Sequence, residues 1–332
     1  MNYEISMAPV SLSTLAQKFN CRVIGEDIII SKLGNLSSAT SMPEKKLTFS
    51  ISQTYTEHFN TSNIGACIVD ASVVDSGLCV STKSYLVSNG DSERLFYKIF
   101  LYFYQEKAFQ TLEERIGVNN LIASNAVIEK SVIIGNDCVI MDNVVIKSNT
   151  VIGDRVTIKA NSVIGGDGFQ VKDIEGKRRI IPHVGGVFIS DDVEIGSCVT
   201  VDKGLFGEFT RIDEEVKIDN LVNIAHSSHI GRRTIIAAGV TIAGGVTIGS
   251  NVFIGMQASI NQLLTISDFC IVGAHAAIIN SVKAHQKVVG VPARGIGWVC
   301  CCGHDISTVK ESALLFCPKC GDQYFLNEEG YL

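Results

Sequence analysis

The sequence predicts a mainly β chain: a long parallel solenoid of short strands, preceded by a small α/β unit and closed by a Cys-rich tail. Three observations predict it. Isoleucine or valine recurs every six residues through the middle of the chain. The recurrence is missing from residues 1–112. Five of the eleven cysteines are crowded between Cys300 and Cys320.

The first unit is residues 1–112. SLSTLAQKFN reads as a short helix opened by a serine cap, with Leu12, Leu15 and Phe19 apolar. RVIGEDIIISKLGNLSSA reads as two short strands around a turn. DSERLFYKIFLYFYQEKA starts as a helix, with Asp91 or Ser92 as cap and Leu95, Phe96, Ile99 and Phe100 on one face.

The solenoid spans residues 113–295. The six-residue recurrence runs from Ile122 to Ile164, resumes at Ile189, Ile195 and Val201, and continues from Ile212 to Ile278. The residue two before each is small or β-branched from Ala126 to Ser162. Six matches neither a helical period nor simple strand alternation. It suits a coil of flat strands whose aliphatic side chains stack inside, a ladder that no single repeat could bury alone. Glycine often follows the isoleucine, as at Gly135, Gly153 and Gly231, where a turn is expected to need a permissive backbone. The phase breaks, about 165–187 and 202–211, are expected to be loops leaving the coil, and loops on a rigid scaffold commonly carry function.

The tail is residues 296–332. Cys300-x-Cys302-Gly and Cys317-x-x-Cys320-Gly form two cysteine pairs beside glycines. Such pairs suit a structural zinc, which takes four soft ligands in a tetrahedron. The first pair is one residue short of the usual spacing, and Cys301 and His304 are the substitutes within reach. A reduced thiol cluster without metal is the alternative.

Composition excludes little but points one way. A net charge of −6 argues against a nucleic-acid binder. No apolar run is long enough for a membrane span, and the first residues lack the pattern of a secretory leader. A cytoplasmic protein with free thiols is expected, rather than a disulfide framework.

The repeat resembles the left-handed parallel β-helix of the hexapeptide acyltransferases. Those proteins usually form trimers with active sites between subunits, so a homotrimer is implied. The block order SLSTLAQKF, LSSAT, LTFSISQTYTEHF, VIGGDGFQ, IPHVGGVFISDDVEIGSCVTVDKG and VKIDNLVNIAHSSHIG is more specific. It resembles the UDP-3-O-(3-hydroxyacyl)glucosamine N-acyltransferases of lipid A assembly. That resemblance makes residues 1–112 a nucleotide-sugar-binding domain, with Phe49 and Tyr55 stacking on the base. Ser52 stands where the family has Asn, which leaves the base open between uracil and thymine. His226 matches the family's general base, and Asp219 is expected to orient it. His229 occupies an apolar position of the motif and is a weaker candidate for contact with the sugar. The bland readings are a strand-core Phe49, a surface Tyr55 and solvated histidines. Phe169, in the GGDGF loop, would either wall the acyl pocket of a neighbouring subunit or anchor its own loop.

Three features depart from the lipid A enzymes. Their second histidine is absent from SINQLLTI, which has Asn261, Gln262 and Leu263 in its place. VVGVPARGIGW resembles the closing motif of hexapeptide acyltransferases that use coenzyme A, which implies cofactor contacts from Ala274, Gly290 and Arg294. A basic C-terminal helix for docking acyl carrier protein is missing. The resemblance therefore implies transfer from acyl-CoA to the amino group of a dTDP- or UDP-linked amino-dideoxy sugar destined for a surface glycan. The alternatives are the lipid A reaction with acyl carrier protein and a non-catalytic solenoid subunit.

Overall fold

The computed structural model describes residues 3–36, 44–306 and 314–325. Residues 37–40 of the LSSAT block and residues 307–313 of the tail lie outside the described residues. The chain divides into two compact units. The first is Met1–Thr111 with Phe169–Gly185 and Leu205–Glu208; the second is Leu112–Gly168, Gly186–Gly204 and Phe209–Leu332.

In the first unit, helix α1 is Leu12–Phe19. Ser11 caps it by accepting a hydrogen bond from the Thr14 amide, and Leu12, Leu15 and Ala16 are buried. The next apolar stretch forms three short strands, one more than its sequence suggests: Arg22–Ile24, Ile29–Ile30 and Lys32–Leu33. The run is divided because Ile29–Ile30 pairs with Val10–Ser11 while Lys32–Leu33 joins the main sheet. That five-stranded sheet has the order Arg22–Ile24, Ser84–Ser88, Ile64–Asp70, Glu44–Phe49, Lys32–Leu33. Helices α2 (Gln53–Thr61), α3 (Ala71–Asp75) and α4 (Ser92–Gln105) complete it, and Asp91 caps α4.

The two excursions from the coil belong to this first unit. One carries the hairpin Val171–Ile174 and Lys177–Ile180. Ile174, Ile181, Val184, Leu205 and Phe206 are buried in the unit's core. The Phe206 ring stands edge-on to Phe96 at 5.1 Å and to Phe100 at 5.4 Å. Lys172 pairs with Glu93 at 2.7 Å and Lys98 with Glu175 at 2.8 Å. The excursions are thus largely core-forming segments rather than surface loops. Phe169, at the start of the first, is 80% exposed.

The second unit is the predicted coil. Away from the two excursions and the last turn, strands pair in parallel with the strand 18 residues on, as in Val127↔Val145 and His229↔Thr247, so three hexads make one turn. Three sheets result. Face 1 begins at Arg115–Ile116, face 2 at Leu121–Ile122 and face 3 at Val127–Ile128. The interior is a continuous column of isoleucines flanked by valines, cysteine and alanine, with Ile236, Ile242, Ile248 and Ile254 fully buried. The fold is a left-handed parallel β-helix of hexapeptide repeats.

The glycines after the isoleucines do a different job from the one expected. Gly135 and Gly231 do not adopt positive φ; a Cβ on Gly135 would lie 2.5 Å from the Gly153 carbonyl oxygen, and one on Gly231 2.5 Å from the Gly249 carbonyl carbon. They permit close stacking of successive coils. The left-handed turn residue comes two positions after Gly135, Gly153 and Gly231, at Asp137, Arg155 and Arg233, and the same corner position is Asn143, Asn149 and Asn161 in other hexads, all with φ of 57–64°. Asn and Asp tolerate that conformation better than most side chains.

Candidate active site

His226 sits at the corner between face 3 and face 1. Asn223–Ile224 enters the corner and His229–Ile230 leaves it. Ser227 takes the left-handed conformation, φ 58°, and its amide donates to Thr210 Oγ1 at 2.8 Å. Ser228 is buried and its hydroxyl donates to the Ala243 carbonyl at 3.2 Å. The Gly245 amide donates to the His226 carbonyl at 2.9 Å. The corner is therefore tied to the coils on both sides.

The imidazole of His226 is half-buried, with Nδ1 3.3 Å from Ser227 Oγ. It lies against Gly244 of the next coil: a Cβ there would be 2.7 Å from Nε2 and 2.8 Å from Cε1. One coil earlier, Lys203 pairs with Asp167 at 2.9 Å. Beside it, burial, and secondarily the charge of Asp167, push the Asp202 carboxyl up to about 6.

Asp219 is not brought to His226. It stands at the corner between faces 2 and 3, where its Oδ1 accepts from the Asn220 amide at 2.8 Å. There it lines a shallow groove of ≈ 290 Å³ along with Lys159, Glu194 and Lys217, and His226 is not part of that groove. The carboxylate set on an imidazole is Asp213: its Oδ2 is 2.7 Å from His229 Nε2, and both side chains are partly exposed on face 1. Arg211, opposite His229 in the strand register, stacks over the Phe188 ring at 4.7 Å. Sequence reasoning missed Asp202, Asp213 and Arg211. Aligning the chain in 18-residue turns, rather than hexads, puts Arg211 beside His229 and Asp213 at the next corner.

The other candidates are placed as follows. Phe49 ends a strand and is buried, its ring 4.6 Å from Phe96 and 6.1 Å from Tyr97. Tyr55 is on α2 and 40% exposed. Ser52 caps that helix, its hydroxyl accepting from the Tyr55 amide. Near the end of the coil, Gly290 has φ 95° and its carbonyl accepts from the Ala277 amide, while Gly255 packs against the Ala274 backbone. Arg294 is exposed, with Nη1 donating to the Ala293 carbonyl. Cys300, Cys302, Cys317 and Cys320 come together, all four sulfurs within 4.8 Å of one another. Among the described residues no helix is long and apolar enough to cross a membrane.

Comparison with known proteins agrees with this coil. The bacterial transferase hexapeptide (six repeats) family matches residues 131–166 and 209–244. The coil thus carries hexapeptide repeats of the left-handed β-helix class. Within that class its sequence is similar to the UDP-3-O-acylglucosamine N-acyltransferases. It is 45% identical over 56 residues to UDP-3-O-acylglucosamine N-acyltransferase 2 of Nitrobacter winogradskyi, covering 15% of this chain and 16% of that one. It is 51% identical over 45 residues to the Leptospira biflexa enzyme, 14% of this chain and 13% of that one. These matches span less than a fifth of the relatives' length. Among solved structures, UDP-N-acetylglucosamine acyltransferase from Campylobacter jejuni superposes with a TM-score of 0.50 at 25% identity, covering 56% of this chain and 71% of that one. The Bacteroides fragilis UDP-N-acetylglucosamine acyltransferase gives 0.51 at 22%, over 56% and 71%, and shares the fold.

Proposed function

We propose that this chain is an N-acyltransferase that moves a short acyl group from acyl-CoA to the amino group of a dTDP- or UDP-linked amino-dideoxy sugar. The observation that carries the reading is the His226 corner, an imidazole seated on a glycine of the next coil within VKIDNLVNIAHSSHIG, the stretch that resembles the lipid A N-acyltransferases. The sugar amine attacks the thioester carbonyl carbon and a C–N bond forms. The carbonyl oxygen gains charge in the tetrahedral intermediate, the C–S bond breaks, and the thiolate leaves. The proton shed by the amine passes to His226, whose imidazole is suited to accept it near neutral pH. The VPARG closing motif favours coenzyme A over acyl carrier protein.

The base would be held at Tyr55, whose ring is open to a ligand. Phe49 would support that site from the core rather than stack face-on, because its ring is already packed on Phe96. A homotrimer is part of this reading. Ile235 and Phe253, paired in adjacent strands of face 2, are 47% and 43% exposed and suit burial against a second chain.

A thiol-release assay tests the function. Acetyl-CoA and 3-hydroxybutyryl-CoA are offered with a panel of dTDP- and UDP-linked 3-amino and 4-amino sugars. Turnover with one pair is expected. Turnover only with an acyl carrier protein donor would replace the reading with the lipid A type reaction, and none with either donor would favour a non-catalytic subunit.

A further inference from the structure

We infer that Cys300, Cys302, Cys317 and Cys320 hold one structural zinc ion, and that this metal knuckle closes the C-terminal end of the β-helix. The inference stands apart from the acyltransferase reading and does not depend on it.

The geometry of the thiols comes first. Cys302 and Cys317 sulfurs are 3.7 Å apart and Cys300 and Cys320 sulfurs 3.2 Å apart. Zinc bonded to sulfur at about 2.3 Å in a tetrahedron sets neighbouring sulfurs about 3.8 Å apart. A disulfide needs about 2.05 Å, so neither pair is one. Each cysteine pair folds on a glycine in the left-handed region. Gly303, φ 79°, donates to the Cys300 carbonyl at 2.8 Å, and Gly321, φ 88°, donates to the Cys317 carbonyl at 2.9 Å. The two knuckles thus repeat one backbone device although their cysteine spacings differ. A second set, Cys300, Cys301, Cys320 and Asp322, is equally close, with Cys301 Sγ 3.8 Å from Cys300 Sγ; the four-thiol set is the softer one that zinc prefers, and the Cys301 thiol donates instead to Asp322 at 2.8 Å.

The second argument is size. The tail's core among the described residues is Cys300, Ile306, Leu315 and Cys317, with Trp298, Cys302 and Tyr324 partly buried against it. So few apolar side chains cannot order a segment by themselves, and small units of this kind rely on a metal or disulfides. Binding by thiolates displaces their protons and makes the metal's binding energy part of the folding energy.

The knuckle also packs against the end of the coil. His285, between the last coil and the tail, stacks on Phe269 at 4.9 Å with the rings 13° from parallel, and packs on Tyr324 at 5.0 Å. Tyr324 Oη lies 3.2 Å from Cys300 Sγ and accepts from the Cys301 amide at 2.9 Å. The Val299 amide donates to the His285 carbonyl, and Lys287 pairs with Asp305 at 2.8 Å. A solenoid's last repeat has no neighbour to cover its ladder and needs a terminal cap. The chain of contacts from Cys300 through Tyr324 and His285 to Phe269 makes the metal knuckle that cap.

The test uses full-length protein without an affinity tag. Metal analysis is expected to give about one zinc per chain, as a closed four-thiolate site requires. Cys302→Ser and Cys317→Ser should lose it, whereas Cys301→Ser should keep it. Stripping the wild-type protein with a strong chelator should speed amide exchange in residues 265–299 and leave residues 133–260 unchanged, and zinc should restore protection. Less than about a tenth of an equivalent of any metal would overturn the site. Zinc lost from Cys301→Ser as fully as from Cys302→Ser would overturn the ligand set. Zinc removed with no change in exchange at 265–299 would overturn the capping role. The chelation arm keeps the inference testable if the serine variants do not fold.

Discussion

At the scale of single residues, the corner around His226 is argued by two substitutions. His226→Ala should lower kcat by about 10²–10⁴-fold if the imidazole takes the amine's proton in the transition state. Retained turnover would pass the proton to the sulfur or to solvent. Gly244→Ala is the finer probe, because its methyl would sit 2.7 Å from His226 Nε2 and must displace the ring. The fold has no other reason to resist it, since Gly244 does not adopt positive φ. We expect kcat to fall by about 10²-fold with little change in thermal stability. An unchanged kcat would show that the imidazole's position is irrelevant to the chemistry. Asp202 gives a pH signature. Its carboxyl titrates near 6 in the folded chain, above the ordinary carboxylate value, because of burial and then the Asp167 charge. Between about pH 4 and pH 6 the folded chain therefore binds more protons than the unfolded one, so this group's stabilising contribution is full below about 4 and is lost as pH rises through 6. Asp202→Asn should remove that slope, making the variant the more stable of the two above pH 6 when each is referred to its value at pH 4. Denaturation midpoints across pH 4–7.5 measure it, and parallel profiles for the two proteins would refute it.

At the scale of elements, the hexad is what made the coil legible. One aliphatic position every six residues, sustained for twelve repeats from Ile212 to Ile278, leaves few other ways to bury so many β-branched side chains. The interior ladder should be sensitive in proportion to its burial. Ile254→Ala, at a fully buried rung, is expected to cost about 2–5 kcal/mol in denaturant unfolding. Ile116→Ala, in the first coil and 55% exposed, should stay within about 0.5 kcal/mol. Equal losses would mean that the rungs are not the main source of cohesion. Other elements were less legible for definite reasons. The excursions looked like loops because their apolar residues, Ile174, Val184, Leu205 and Phe206, are scattered among charges and glycines. Their partners are Phe96, Tyr97 and Phe100, far away in sequence, and no local period records such contacts. The site is similar. His226 was singled out by its motif, whereas Asp213 meets His229 on a diagonal between adjacent coils that only the 18-residue turn reveals. The meeting of the four tail cysteines was expected from two cysteine pairs set beside glycines, even though the first spacing is one residue short.

At the scale of the whole molecule, the coil's outer surface decides assembly. Parallel strands put identical columns in register, so a side chain every 18 residues forms a stripe. On face 2 the stripe passes from Glu194 and Lys217, which pair at 2.8 Å, to Ile235, Phe253 and Ile271. The charged part suits solvent, and a contiguous apolar part of that kind suits a protein surface. A closed ring of three chains would cover the stripe once per subunit. We expect sedimentation equilibrium to give three chains per particle for the wild type. Phe253→Asp should shift it toward single chains, since a carboxylate buried without a partner opposes association, while the fold stays intact by circular dichroism. Activity should fall with the trimer if the corner at His226 is completed by a neighbour, and should survive in the single chain if it is not. A wild type that sediments as one chain would sink the trimer, and a Phe253→Asp protein that stays trimeric would move the interface to another face.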